Sequence, residues 1–100
     1  MREFTDPDRV EVEAGEPFVI VLSRNFEGPY LWTAADVPPG VHLEREDTFA
    51  PGEGAPGASG ERVFELTATE PGRFTLHFER RFEFGEPKVD RERFVVVEAR

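Results

Sequence analysis

One hundred residues are enough for a single domain with its own core and too few for two. The net charge of −9, with Arg80-Arg81 as the only adjacent basic pair, repels phosphate backbones and argues against nucleic-acid binding. The absence of cysteine excludes disulfides and thiol chemistry, and no apolar run approaches the ~20 residues that a membrane-spanning helix needs.

Apolar and polar side chains alternate along most of the chain, the period of two that belongs to strands. Val10 and Val12 alternate with Glu11 and Glu13. Ala14-Gly15-Glu16 then turns the chain into Phe18-Val19-Ile20-Val21-Leu22, a run suited to a strand covered on both faces or at the centre of a sandwich. Asn25, Gly28 and Pro29 make a turn flanked by two aromatics, Phe26 and Tyr30, and lead into Tyr30-Leu31-Trp32-Thr33-Ala34, with Trp32 expected in the core. Pro38-Pro39-Gly40 precedes the alternating pair Val41 and Leu43. A Pro-, Gly- and Ala-rich connection follows over 47–61. Phe64, Leu66 and Ala68 alternate with polar residues, Glu70-Pro71-Gly72 turns, and Phe74, Leu76 and Phe78 alternate again. A second long connection over 82–90 precedes Phe94-Val95-Val96-Val97.

These seven runs, with no sustained period of 3.6, predict an all-β fold: an immunoglobulin-like antiparallel β-sandwich of about seven strands, one domain over 1–100. If each strand reverses direction, the three elaborate connections fall at one end and the plain turns at the other. Stiff, aromatic-armed loops gathered on a β scaffold suit the filling of a partner's groove. The acidic excess lies wholly before Glu79, and 11 of the 12 basic residues are Arg, which pairs carboxylates bidentately. Arg80 has Glu79 and Glu83 beside it for such a pair. Residues 1–8 have no apolar stretch of signal-peptide type, so the chain as it stands is expected to be cytoplasmic.

Catalytic constellations are missing. Ser23 and Ser59 lack a Gly-x-Ser-x-Gly elbow, and the Gly-rich 52–60 stretch lacks the Lys-Ser/Thr ending of a phosphate loop. His42 and His77 are far apart in sequence and read as ordinary exposed or partly exposed residues, with no dense cluster of metal ligands around them. Acidic residues such as Glu11/Glu13 and Glu44/Glu46 read as solvated strand faces. The chain is not expected to be an enzyme or to carry a cofactor or metal.

The connections carry a family resemblance. From about residue 15 to the end the chain resembles the chagasin family, small immunoglobulin-like inhibitors of papain-type cysteine proteases. That family has three loop motifs, Asn-Pro-Thr-Thr-Gly-Tyr/Phe, Gly-x-Gly-Gly and Arg-Pro-Trp/Phe. Here they align with Asn25-Phe26-Glu27-Gly28-Pro29-Tyr30, Gly57-Ala58-Ser59-Gly60 and Arg80-Arg81-Phe82. The middle of the first motif differs, Ser59 replaces a Gly and Arg81 replaces Pro. The resemblance implies occlusion without covalent chemistry. The first loop would enter the cleft near the catalytic Cys–His pair, the second would run extended beside the substrate-binding face, and Arg80 and Phe82 would pack on the other side. A 1:1 complex with a papain-type protease, formed by a monomeric inhibitor, is the implied partnership. Glu27 would then set a carboxylate near the thiolate, which repels it, and near the imidazolium, which attracts it. The alternative is a non-inhibitory immunoglobulin-like interaction or assembly module of the same fold.

Overall fold

Alternation along the sequence becomes eight strands in the computed structural model, which describes residues 1–23, 30–49, 61–82, 86 and 88–100. They are β1 (Arg2–Thr5), β2 (Arg9–Val12), β3 (Pro17–Leu22), β4 (Tyr30–Asp36), β5 (Val41–Phe49), β6 (Glu61–Ala68), β7 (Gly72–Phe82) and β8 (Val89–Ala99). Among the described residues no helix is long and apolar enough to cross a membrane. The strands form two four-stranded sheets, β1-β3-β6-β5 and β2-β8-β7-β4, packed face to face over one core.

Each strand commits one of its two faces to that core. Phe64, Leu66, Ala68 and Leu76, Phe78 and Val95, Val97 point inward from β6, β7 and β8, none more than 1% exposed. Phe64 of the first sheet meets Phe78 of the second with ring centroids 4.8 Å apart and planes tilted by 57°. Truncating either ring to Ala costs about 3–5 kcal/mol. Trp32 of β4 is buried as its sequence position suggests.

The sandwich expected from the sequence is present, with one more strand and two parallel edges. β1 carries a single apolar residue, Phe4, so alternation gives no sign of it. It lies parallel to β3, and β2 lies parallel to β8, while the other four strand pairs are antiparallel. The sheets are therefore mixed and not wholly antiparallel. The cause is a crossing at Asp6, where φ is +48° and the chain passes from the first sheet to the second. Asp is among the few residues with a side chain that tolerate this region. Its N–H donates to the Val21 carbonyl at 2.8 Å, and its carboxylate accepts the N–H of Ser23 at 3.0 Å and the Ser23 hydroxyl.

Register fixes where the connections leave. Leu22 pairs with Arg62, Phe49 with Glu61, Tyr30 with Phe82 and Arg81 with Val89. Segments 24–29, 50–60 and 83–88 thus depart from one end of the sandwich. β5 runs on to Phe49, so the connection expected from residue 47 starts at 50. The far end holds the tight turns and both chain ends. Ala14 N–H donates to the Arg100 carbonyl at 3.0 Å and Arg100 N–H donates to Val12 at 3.1 Å. Met1 lies nearby, at a cavity of 530 Å³ that it lines with Arg2, Val12, Glu13, Glu16, Pro17 and Phe18. Gly40 has φ +95°, and a Cβ there would stand 2.4 Å from the Phe74 ring, so the turn before β5 requires glycine on two counts.

Candidate functional site

The structure places the described roots of the three sequence motifs at the loop end. Tyr30 opens β4 directly opposite Phe82, the last residue of β7, so the first and third motifs meet in register. Phe82 is half-buried, and its N–H donates to the Lys88 carbonyl at 2.8 Å, closing the β7–β8 connection. Asn25, Phe26, Glu27, Gly28 and Pro29 lie outside the described residues, as do Gly57, Ala58, Ser59 and Gly60. Ser23, just past β3, and the strand residues Tyr30 (its backbone) and Glu61 are described.

Alternation sends the two adjacent arginines to opposite faces. Arg80 follows Leu76 and Phe78 on the inward face of β7 and is 5% exposed. Its Nε donates to Asp90 Oδ1 at 2.9 Å and its Nη2 donates to Asp90 Oδ2. The neighbouring Glu79 is on the wrong face to serve, and the hairpin brings Asp90 across instead. The hydrogen bond from Arg80 holds the Asp90 carboxyl below its ordinary 3.8, against the opposing effect of burial and with help from the charges of Arg80 and Arg91. Arg81 points outward, and its Nε and Nη2 donate to Glu79 Oε2 at 2.9 and 2.7 Å. Arg80 thus braces the third connection from beneath, beside the exposed Arg81 and the half-buried Phe82.

Two further inward-facing arginines do similar work, and the sequence reading passed over both. Arg62 comes just beyond Phe64 on β6, with a side chain 12% exposed. Its Nε donates to the Trp32 carbonyl of β4 at 2.8 Å, its Nη2 lies 3.4 Å from Glu46 Oε2, and its guanidinium stands 5.4 Å from the Phe64 ring centroid. It ties the root of the 50–60 connection in one sheet to the root of the 24–29 connection in the other. Arg93 comes just beyond Val95 on β8. Its Nη1 donates to the Asp6 and Pro7 carbonyls at 3.1 and 3.3 Å and lies 3.4 Å from Asp8 Oδ1. An Arg two residues before a buried apolar run and in phase with it was the available signal.

The outer face of the second sheet holds a grouping that the sequence spacing did not suggest. His77 and Glu79 of β7 stand beside Glu92 of β8, and Phe94 stacks on the His77 ring. The expectation of exposed or partly exposed histidines holds for both, the His42 side chain being 65% exposed and that of His77 20%. The 530 Å³ cavity lies at the far end and contains none of the candidate residues.

Comparison with known proteins bears on this arrangement. The model of the family described as chagasin family peptidase inhibitor I42 matches residues 11–97. No curated protein has a sequence that matches the chain. Among solved structures, the cysteine protease inhibitor EhICP2 from Entamoeba histolytica superposes with a TM-score of 0.76 at 15% identity, over 99% of this chain and 95% of that one. Amebosin superposes with a TM-score of 0.72 at 20% identity, over 99% and 97% of the two chains. PbICP-C, solved in complex with falcipain-2, superposes with a TM-score of 0.59 at 14% identity, over 99% and 92%.

Proposed function

Because the chain belongs to the chagasin family of peptidase inhibitors, we propose that it inhibits papain-type cysteine proteases as a 1:1 occluding partner, without covalent chemistry. The 25–30 segment enters the catalytic cleft. The 57–60 segment lies extended along one side of it and offers main-chain hydrogen bonds. Arg81 and Phe82 cover the other side, with Arg80 as the brace beneath them. The observation that carries this reading is the departure of all three connections from one end, with Tyr30 opposite Phe82 and Arg62 bound to the Trp32 carbonyl. Roots fixed in this way lose less freedom on docking, which raises affinity without adding contacts. Such an interface buries about 800 Å² on each partner. That a structural neighbour was solved bound to falcipain-2 supports a protease-binding use of the fold.

The test is a titration of papain with the purified chain. Wild type gives saturable 1:1 inhibition. Tyr30→Ala and Phe82→Ala each weaken it by about tenfold or more, the effect of losing a central aromatic anchor. Glu27→Thr strengthens it, because the substitution removes a carboxylate from beside a thiolate. A panel of papain-type enzymes untouched at micromolar inhibitor would overturn the proposal.

A further inference from the structure

On the outer face of the second sheet, β7 and β8 set His77 opposite Phe94 and Glu79 opposite Glu92. Carboxylates directly opposite each other across two strands repel, which a cation between them relieves. His77 Nε2 points into that position, 3.1 Å from Glu92 Oε1 and 3.9 Å from Glu79 Oε1. The three ligand atoms all lie within 4.8 Å of one another. Around an ion with bonds of about 2.0–2.2 Å, adjacent ligands stand roughly 3–3.5 Å apart, so only small side-chain movements separate this geometry from a coordination shell.

The group is held from outside as well. The His77 ring stacks on Phe94 with centroids 4.5 Å apart and planes 4° from parallel, which fixes the direction of Nε2. Glu79 keeps Oε1 toward the histidine because Oε2 accepts both Arg81 donors. Its backbone carbonyl also accepts the Thr33 hydroxyl at 3.2 Å. Outer contacts that orient a ligating imidazole and carboxylate are a recurring part of metal centres. The His77 and Glu79 side chains are 20% and 16% exposed and Glu92 is 55% exposed, so one side stays open for water ligands and for entry. Two carboxylates against one Arg81 leave a net negative charge, on a chain that is itself at −9.

We propose that His77 Nε2, Glu79 Oε1 and Glu92 Oε1 bind one divalent transition-metal ion, with water completing the coordination. One imidazole with two carboxylates suits zinc, cobalt, nickel or manganese, whereas calcium and magnesium take oxygen ligands throughout. The site stands on the sheet face and does not depend on protease inhibition. The rigid β7–β8 pairing supplies two of its three contacts from one strand and the third from its neighbour.

Zinc chloride titrated into the full-length chain tests it, followed by calorimetry and by proton NMR of the two histidine rings. One ion binds per chain, and the His77 ring resonances move while those of His42 stay. His77→Gln and Glu92→Gln each weaken binding by about tenfold or more, the usual effect of deleting a ligand or its support. His42→Gln removes the other histidine close to a carboxylate, 3.8 Å from Glu44, and leaves binding unchanged. Both ligand variants alter outward-facing side chains, and far-UV circular dichroism confirms that they remain folded. Phe94→Leu weakens binding without removing a ligand. No saturation up to about 100 μM zinc, affinity that survives His77→Gln, or shifts confined to His42 would each overturn the assignment.

Discussion

At Arg80 a full positive charge sits on the inward face of β7, 5% exposed, and is stable there because Asp90 receives two of its donors. Asp90→Asn removes the negative charge that receives two donors of this buried cation, so it lowers stability by about 1–2 kcal/mol, the lower part of the usual range because Asp90 is partly open to solvent. Chemical denaturation measures this as a lower midpoint. The pH dependence follows from the direction of the Asp90 shift. Its folded-state pKa lies below the ordinary 3.8, so the contribution is fully present above 3.8 and is lost as pH falls through the lower folded-state value. Wild type therefore loses on acidification a component of stability that Asp90→Asn lacks at every pH. Gly40 gives a sharper residue-scale expectation. Gly40→Ala places a Cβ 2.4 Å from the Phe74 ring in a backbone with φ +95°, and lowers stability by about 1–3 kcal/mol with a matching fall in Tm. The Gly of Pro38-Pro39-Gly40 was legible as a turn residue. The bond from Arg80 to Asp90 was not, because it depends on a hairpin register with an irregularity between Arg80 and Arg81.

At the scale of elements, seven strands were legible because each buries one face, and period-two alternation records that burial directly. β1 was not legible. It holds an edge through backbone bonds to β3 and contributes one partly buried ring, Phe4, which packs edge-on against Phe18 at 6.4 Å. The extension of β5 to Phe49 was hidden for a related reason. Glu44, Arg45 and Glu46 lie along an exposed edge and read as a solvated strand face, but Asp47, Thr48 and Phe49 merge in sequence with the Pro- and Gly-rich stretch that follows. Arg62 connects elements that alternation treats as independent. Arg62→Met keeps the apolar stem and removes the donor to the Trp32 carbonyl. The expected result is faster amide exchange along β4, a loss of about 1–3 kcal/mol, and weaker protease inhibition in a chain that stays folded. Arg62→Lys does not restore the contact, because Lys lacks the planar fork that reaches Trp32 and Glu46 together.

Over the whole molecule, the two ends of the sandwich have separate duties. One gathers three connections above inward-facing arginines. The other gathers the glycine turns, the 530 Å³ cavity and both termini. The convergence was legible from strand alternation alone. The parallel edges created by the Asp6 crossing did not disturb it, because they lie outside the antiparallel pairs that aim the connections. This division has a practical corollary. Met1 and Arg100 stand about as far from the candidate docking surface as the molecule allows. A tether on either one therefore presents the three loops to solution, and a fusion partner added there leaves an approaching protease unobstructed.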